Sequence, residues 1–271
     1  MPELPEVETT VRGLARFLDG QRIERVQVNR PDLRFPFPAG LGQVLTGAVV
    51  TGLSRRAKYG LIHTDRGSTF IFHLGMSGRW RIDPEVDEKH DHLLIETAQH
   101  RFALNDARRF GYVDLVETAR LEAWPAFATM GPEPLGDALT ADYLRAALAG
   151  RKQAIKLLLL DQRVVAGLGN IYVCEALFRA GISPLKAGGT VSRASLSRLV
   201  PAIRDVLLQS IADGGSTLRD YARPDGQLGY FATRFAVYGR EGEPCQTGDG
   251  GTIRRVVQGG RSTWYCPRCQ K

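Results

Sequence analysis

Apolar residues at Leu4, Val7, Val11, Leu14 and Leu18 recur at the spacing of one helical face and stop at Gly20. This predicts an amphipathic helix that packs against a sheet and buries the start of the chain. From about Arg22 to Glu117 the period shortens. Runs such as Gly47-Ala48-Val49-Val50, Thr69-Phe70-Ile71-Phe72 and Tyr112-Val113-Asp114-Leu115-Val116 are separated by Gly, Pro and Asp. Repeated short strands with turn signals predict a β-sandwich or barrel. Gly131-Pro132-Glu133-Pro134-Leu135 reads as a boundary, and helical patterning follows from about Thr140 to Ala212. The rest is Gly-rich and ends in a Cys-bearing hairpin. The pattern gives three regions, 1–130, 131–215 and 216–271, in an α+β protein with no internal repeat.

Composition narrows the partners. The chain has 271 residues and 43% hydrophobic content, enough for two domains without disulfide staples. Lys and Arg number 36 against 29 Asp and Glu, a formal charge of +7 compatible with a polyanionic partner. No apolar stretch approaches the roughly 18 residues of a membrane span. The opening MPELPEVETT has acids and prolines where a secretory signal needs positive charge followed by an apolar run, so a cytoplasmic protein is expected. Three of the four cysteines lie near the end, two of them in Cys266-Pro-Arg-Cys269, and in a reducing compartment that clustering points to metal.

Residues with chemistry begin at Pro2. A small residue after Met1 permits removal of the methionine, which exposes a secondary amine. An α-amine near pKa 8 is about 10% free base at pH 7, against roughly 0.04% for an ordinary lysine. Its attack on a sugar carbon gives an iminium, an electron sink for loss of the neighbouring phosphate. Glu3 can protonate the sugar ring oxygen and then serve as base. The plain alternative is a helix start, where Pro and Glu are both favoured.

Other segments acquire meaning together. Arg55-Arg56-Ala57-Lys58-Tyr59 is either a solvated face or a grip on phosphates. His73-Leu74-Gly75-Met76-Ser77-Gly78 and Asp106-Ala107-Arg108-Arg109-Phe110-Gly111 offer apolar wedges and a cation. An enzyme that extrudes a base needs such groups to fill the hole, though each could simply pack in a core. Lys156-Leu157-Leu158-Leu159-Leu160 reads as a buried helix. Ala166-Gly167-Leu168-Gly169-Asn170-Ile171-Tyr172 reads as a turn into a helix with Asn170 as N-cap, a start suited to a phosphate. Cys174 reads as a small core residue. In the tail, Arg261 sits on a hairpin with Cys245, Cys266 and Cys269. One half of a four-thiolate zinc ribbon is broken, because Gly248 and Asp249 follow Cys245 at three and four residues. Three thiolates with Asp249 or water could hold zinc, and a metal-free hairpin is the alternative.

In combination these motifs resemble the formamidopyrimidine-DNA glycosylase family over essentially the whole chain. Pro-Glu-Leu-Pro-Glu-Val-Glu-Thr at the start, Arg-Arg-Ala-Lys-Tyr, His-Leu-Gly-Met-Ser-Gly, Lys-His-Asp-His at 89–92 and Gly-Leu-Gly-Asn-Ile-Tyr carry the likeness. Gly-Tyr-Phe at 229–231, Tyr238-Gly239-Arg240 and the final Gly-Arg-Ser-Thr-Trp-Tyr-Cys extend it. The resemblance implies an N-terminal helix and β-sandwich facing a helix–two-turns–helix domain with a C-terminal zinc-finger hairpin, with damaged double-stranded DNA between them. It implies excision of 8-oxoguanine and ring-opened purines, then strand cleavage by β- and δ-elimination. By position, Pro2 would be the Schiff-base nucleophile and Glu3 the proton donor. Lys58 would serve β-elimination and Arg261 δ-elimination. His90, Arg108 and Arg151 would contact DNA, with Lys156, Asn170 and Tyr238 on phosphates. Met76, Arg108 and Phe110 would fill the void, Arg108 facing the orphaned cytosine. Ser216 to Tyr230 would include the loop closing over the damaged base. One zinc per chain is implied, on Cys245, Cys266 and Cys269, with Asp249 or water in the fourth place.

Two departures stand out: Ala107 where the family commonly has Pro, and the missing finger cysteine. An endonuclease VIII-type enzyme for oxidised pyrimidines is the nearest rival. A non-catalytic DNA-binding protein and a ribosome-associated RNA binder are more distant ones. A monomer with no nucleotide cofactor and no membrane partner is expected.

Overall fold

The structure, a computed structural model, describes residues 2–216, 224 and 229–271. It divides into two compact units, Met1–Ala128 with Asp213–Ala232, and Thr129–Ala212 with Thr233–Lys271. Residues expected to form a third region are therefore shared: 213–232 return to the first unit, and the terminal hairpin joins the helical one.

In the first unit α1 (Leu4–Leu18) forms where the apolar spacing places it, burying Leu4, Val7, Val11, Leu14 and Leu18. After β1 (Arg25–Val28) and the short α2 (Leu41–Leu45) come β2 (Val50–Arg56), β3 (Tyr59–Thr64) and β4 (Ser68–His73). β5 (Arg79–Ile82), β6 (Asp91–Glu96), β7 (Arg101–Asn105) and β8 (Tyr112–Glu117) complete two four-stranded antiparallel sheets. Their strand orders are β1-β6-β7-β5 and β2-β3-β4-β8. Phe70 and Phe72 from one sheet, Trp80, Phe102 and Leu104 from the other and the stripe of α1 share one core, as a sandwich requires. The run at Gly47 enters its strand only at Val50, because Gly47 turns the chain at φ 80°. α3 (Pro125–Ala128) closes the first stretch of this unit.

The second unit holds α4 (Ala141–Leu148), α5 (Ile155–Leu159), α6 (Asn170–Arg179) and α7 (Arg193–Ala212). Thr140 caps α4 by accepting from the Tyr143 N–H. β9 (Arg254–Gln258) and β10 (Arg261–Tyr265) form the hairpin, turning at Gly259 and Gly260, both at positive φ. No helix among the described residues is long and apolar enough to cross a membrane.

Candidate active site and nucleic-acid interface

The chain start is held rather than loose. Pro2 is buried, and Glu3, 2% exposed, is the N-cap of α1 in a reciprocal capping box with Glu6. The Glu3 N–H donates to Glu6 Oε2 at 2.9 Å. The other oxygen of Glu6 accepts from the Ser216 N–H at 2.8 Å and its hydroxyl at 2.9 Å. Ser216 also bridges to Tyr230. Glu6 thus ties Glu3 to Ser216 at the start of the expected closing loop; residues 217–223 and 225–228 of that loop lie outside the described residues. The sequence reading missed Glu6, although Glu3-x-x-Glu6 has the spacing of a capping box.

Lys58 lies at the turn between β2 and β3, 8% exposed, beside Ala57 at φ 52°. A non-glycine residue there costs of order 1–3 kcal/mol and persists where the surroundings impose it. Part of that constraint is visible. Arg55 donates to the Ala57 carbonyl at 2.8 Å and to Glu8 of α1 at 2.9 Å. Arg55, read as part of either a solvated face or a phosphate grip, is a largely buried anchor for the turn. His73 accepts the Gly75 N–H on Nδ1 at 3.1 Å. Burial, and then the positive charges of Lys58 and Arg34, push His73 down to about 4. Its ring is therefore neutral at physiological pH.

The expected wedge residues come together. Met76, Arg108 and Phe110 line one open cavity of about 600 Å³ with Arg34, His73 and Arg109. Phe110 is 46% exposed, and the Arg108 guanidinium lies 4.9 Å from its ring centre. Two loops carry these residues, and buried groups join the loops. Ser77 Oγ–H donates to Asp106 Oδ1 at 2.6 Å, while the Arg108 N–H donates to Ser77 Oγ at 3.0 Å. Asp106, fully buried, accepts the Gly111 N–H on its other oxygen at 2.8 Å. Gly75 sits at φ 60°, and a Cβ there would fall 2.3 Å from the backbone of Phe110 and Gly111. His90 supplies the carbonyl that accepts the Asp106 N–H at 3.0 Å.

In the helical unit the turn before α6 is stapled by Gln162. It donates to the carbonyls of Leu160 and Leu168 and accepts the Gly167 N–H. The N-cap of α6 is Gly169 in an extended conformation, not Asn170 as expected. Asn170 opens the helix and donates instead to the Ser262 carbonyl on β10 at 2.9 Å, beside Arg261. Every residue of the short α5 except Leu157 is buried, as the run reads in sequence, and Lys156, expected on a phosphate, is 0% exposed. Arg151 and Arg261 are exposed. Tyr238 packs on Trp264 with ring centres 4.3 Å apart. Glu175, fully buried on α6, accepts the N–H groups of Ala236, Val237 and Tyr238 at 2.9–3.0 Å and so sets the backbone of that segment. Nothing in the linear sequence marks Gln162 or Glu175, whose partners are remote or set by the turn. Cys174 is a core residue, as read.

At the hairpin base Cys245, Asp249, Cys266 and Cys269 converge, with one donor atom from each lying within 4.8 Å of all the others. Cys266 is fully buried and Cys245 is 6% exposed, in a small core with Val237 and Ile253. The Gly251 N–H, donating to Asp249 at 2.7 Å, holds that carboxyl below its usual range, so it is an anionic donor. Three sulfurs and a carboxylate at this separation suit zinc.

Comparison with known proteins accords with this arrangement. A family model described as the formamidopyrimidine-DNA glycosylase N-terminal domain matches residues 1–113. The H2TH domain model of the same glycosylase matches 130–222, and a zinc finger found in FPG and IleRS matches 250–271. Proteins called formamidopyrimidine-DNA glycosylase from Erythrobacter litoralis and Novosphingobium aromaticivorans are 76% and 71% identical, with all of each chain covered. Among solved structures, a complex of Lactococcus lactis Fpg with DNA containing an abasic site is 35% identical with a TM-score of 0.92, covering both chains fully. The MutM (Fpg) protein of Thermus thermophilus is 38% identical with a TM-score of 0.89, covering 99% of this chain and 98% of that one.

Proposed function

Because this chain belongs to the formamidopyrimidine-DNA glycosylase family, we propose that it excises oxidised purines from duplex DNA and cuts the strand, with the Pro2 nitrogen as nucleophile. The observation that carries the reading is the Pro2-Glu3 pair, buried and fixed at the head of α1 by Glu6. A capped helix alone would not call for burying Pro2 beside a buried acid. With Met1 removed, the amine attacks C1′ of the damaged nucleoside and the base departs with its bonding pair. Glu3 protonates the ring oxygen, which opens the sugar as an iminium. Loss of a C2′ proton expels the 3′ phosphate, and a second elimination expels the 5′ phosphate. Lys58 and Arg261 are assigned to these two steps, one in each unit.

The void left by the extruded nucleotide is assigned to Met76, Arg108 and Phe110, with Arg108 facing the orphaned base. Filling it matters because unstacking a nucleotide costs a few kcal/mol and leaves a polar partner unpaired. His90, Arg151, Asn170 and Tyr238 are assigned to DNA contact. Cys245, Asp249, Cys266 and Cys269 would hold zinc, which would brace the hairpin that presents Arg261. The protein is proposed to act in the cytoplasm as a monomer. The 8-oxoguanine·cytosine pair is the proposed substrate, in preference to thymine glycol.

Borohydride reduction in the presence of 8-oxoguanine duplex tests the assignment. We expect a covalent protein–DNA adduct attached through Pro2, formed by protein whose N-terminal mass lacks Met1. A form blocked by an uncleavable extra residue should lose both adduct and strand cleavage. Cleavage at the normal rate by the blocked form would exclude Pro2.

A further inference from the structure

We propose that Asp249 is the fourth zinc ligand through Oδ2, closing a three-thiolate, one-carboxylate site that discriminates less strongly for thiophilic metals than a four-thiolate finger would. Zinc bonds of about 2.3 Å to sulfur and 2.0–2.2 Å to carboxylate oxygen give tetrahedral edges of roughly 3.8 Å between sulfurs and roughly 3.6 Å from sulfur to oxygen. Two of the separations match, Cys245 Sγ to Cys269 Sγ at 3.9 Å and Cys266 Sγ to Asp249 Oδ2 at 3.6 Å, and all four donor atoms lie within 4.8 Å of one another. The two carboxylate oxygens are divided in their roles. Oδ1 accepts the Gly251 N–H at 2.7 Å, while Oδ2 faces the sulfur of Cys266.

The backbone explains how a carboxylate replaces a thiol at a different spacing. Cys266 and Cys269 are separated by two residues, Cys245 and Asp249 by three. Gly248 occupies the extra position at φ 71°, and Gly250 beyond it has φ 70°. The chain turns past the place of an ordinary second cysteine, so the next residue reaches inward. Gly251 completes the fit, since a Cβ there would stand 2.6 Å from Cys266 Sγ and 2.9 Å from Asp249 Oδ1. The Cys245 N–H donates to the Gly251 carbonyl at 2.8 Å, fastening the loop across the cluster. Four protein donors make the site closed and structural, with no position reserved for a reactive water. Exchanging one soft sulfur for a hard oxygen leaves the ligand charge unchanged but lowers the advantage of cadmium over zinc.

The test uses the full chain stripped of metal and titrated with cobalt(II), zinc and cadmium, without DNA, so its outcome is independent of the glycosylase assignment. The native protein should bind one metal, with sulfur-to-cobalt charge-transfer absorption of three thiolates. Asp249→Cys should raise that absorption by about a third, the ratio of four sulfurs to three, and increase the preference for cadmium over zinc. Asp249→Ala should weaken zinc binding by more than about tenfold, since even groups that merely support a ligand cost 10–100-fold. Asp249→Asn, closest in size, should fall between and guards against misfolding of the alanine variant. Unchanged zinc affinity in both Asp249→Ala and Asp249→Asn, or an unchanged cobalt spectrum in Asp249→Cys, would overturn the assignment.

Discussion

Replacing Ser77 with alanine should separate base extrusion from strand cleavage. The Ser77 hydroxyl accepts the Arg108 N–H and donates to Asp106, and so joins the Met76 loop to the Arg108–Phe110 loop. Ser77 is 8% exposed and Asp106 is fully buried, so alanine leaves the Asp106 carboxyl with little water to replace the lost donor. Such an orphan costs about 1–3 kcal/mol. The loops recover this cost by parting to admit water, which lowers the population of the aligned wedge. At tenfold per about 1.4 kcal/mol, we expect excision of 8-oxoguanine opposite cytosine to slow by roughly 10- to 100-fold in single-turnover assays. Cleavage at a preformed abasic site has no base to unstack and should change by less than about threefold. Ser77→Thr keeps the hydroxyl and should restore most excision. Equal losses on both substrates would mean a general structural defect, and no loss on either would mean that the loops hold their positions without the serine.

Three further predictions come from other buried groups. Glu6→Gln removes the charge that accepts three donors from Glu3 and Ser216; adduct formation should fall at least about tenfold while duplex affinity stays within about threefold, since charged hydrogen bonds of this kind are worth about 1.5–3 kcal/mol each. Glu175→Ala frees the backbone of 236–238, and duplex binding measured by fluorescence anisotropy should weaken with little change in N-terminal trapping at saturating DNA. For His73, the unfolded chain takes up a proton near 6.5 and the folded chain only near 4. Acid therefore favours unfolding across that window, and urea-determined stability should rise with pH from about 4 to 6.5, by up to about 1.4 kcal/mol per pH unit from this residue. His73→Asn, which retains an acceptor for Gly75, should flatten that slope; an unchanged slope would refute the assigned burial.

Much of this protein could be read along the chain because the signals are local. The stripe from Leu4 to Leu18 names its own helix, short β-branched and aromatic runs broken by Gly, Pro and Asp announce strands, and the Cys-bearing end reads as a hairpin. The Pro2-Glu3 pair and the cysteines are legible for a chemical reason: few other residues offer a secondary amine or a thiolate. Misreadings arose where a residue's partner was remote. Asn170 has the composition of a cap, but Gly169 takes that place and the asparagine reaches the backbone of β10. Arg55 belongs to a basic cluster in sequence and to Glu8 in space.

Sequence alone therefore determined the kinds of element along the chain, the proposal of Pro2 as nucleophile and the set of groups able to bind metal, since each depends on local spacing or on intrinsic side-chain chemistry. Tertiary structure decided which polar groups serve one another. Glu6 meets Ser216 across 210 residues, Ser77 meets Asp106 across 29, and Asp249 meets Cys266 across 17. A buried polar atom must find a partner, and which partner it finds depends on where folding brings distant segments together, a relation that residue order alone does not carry.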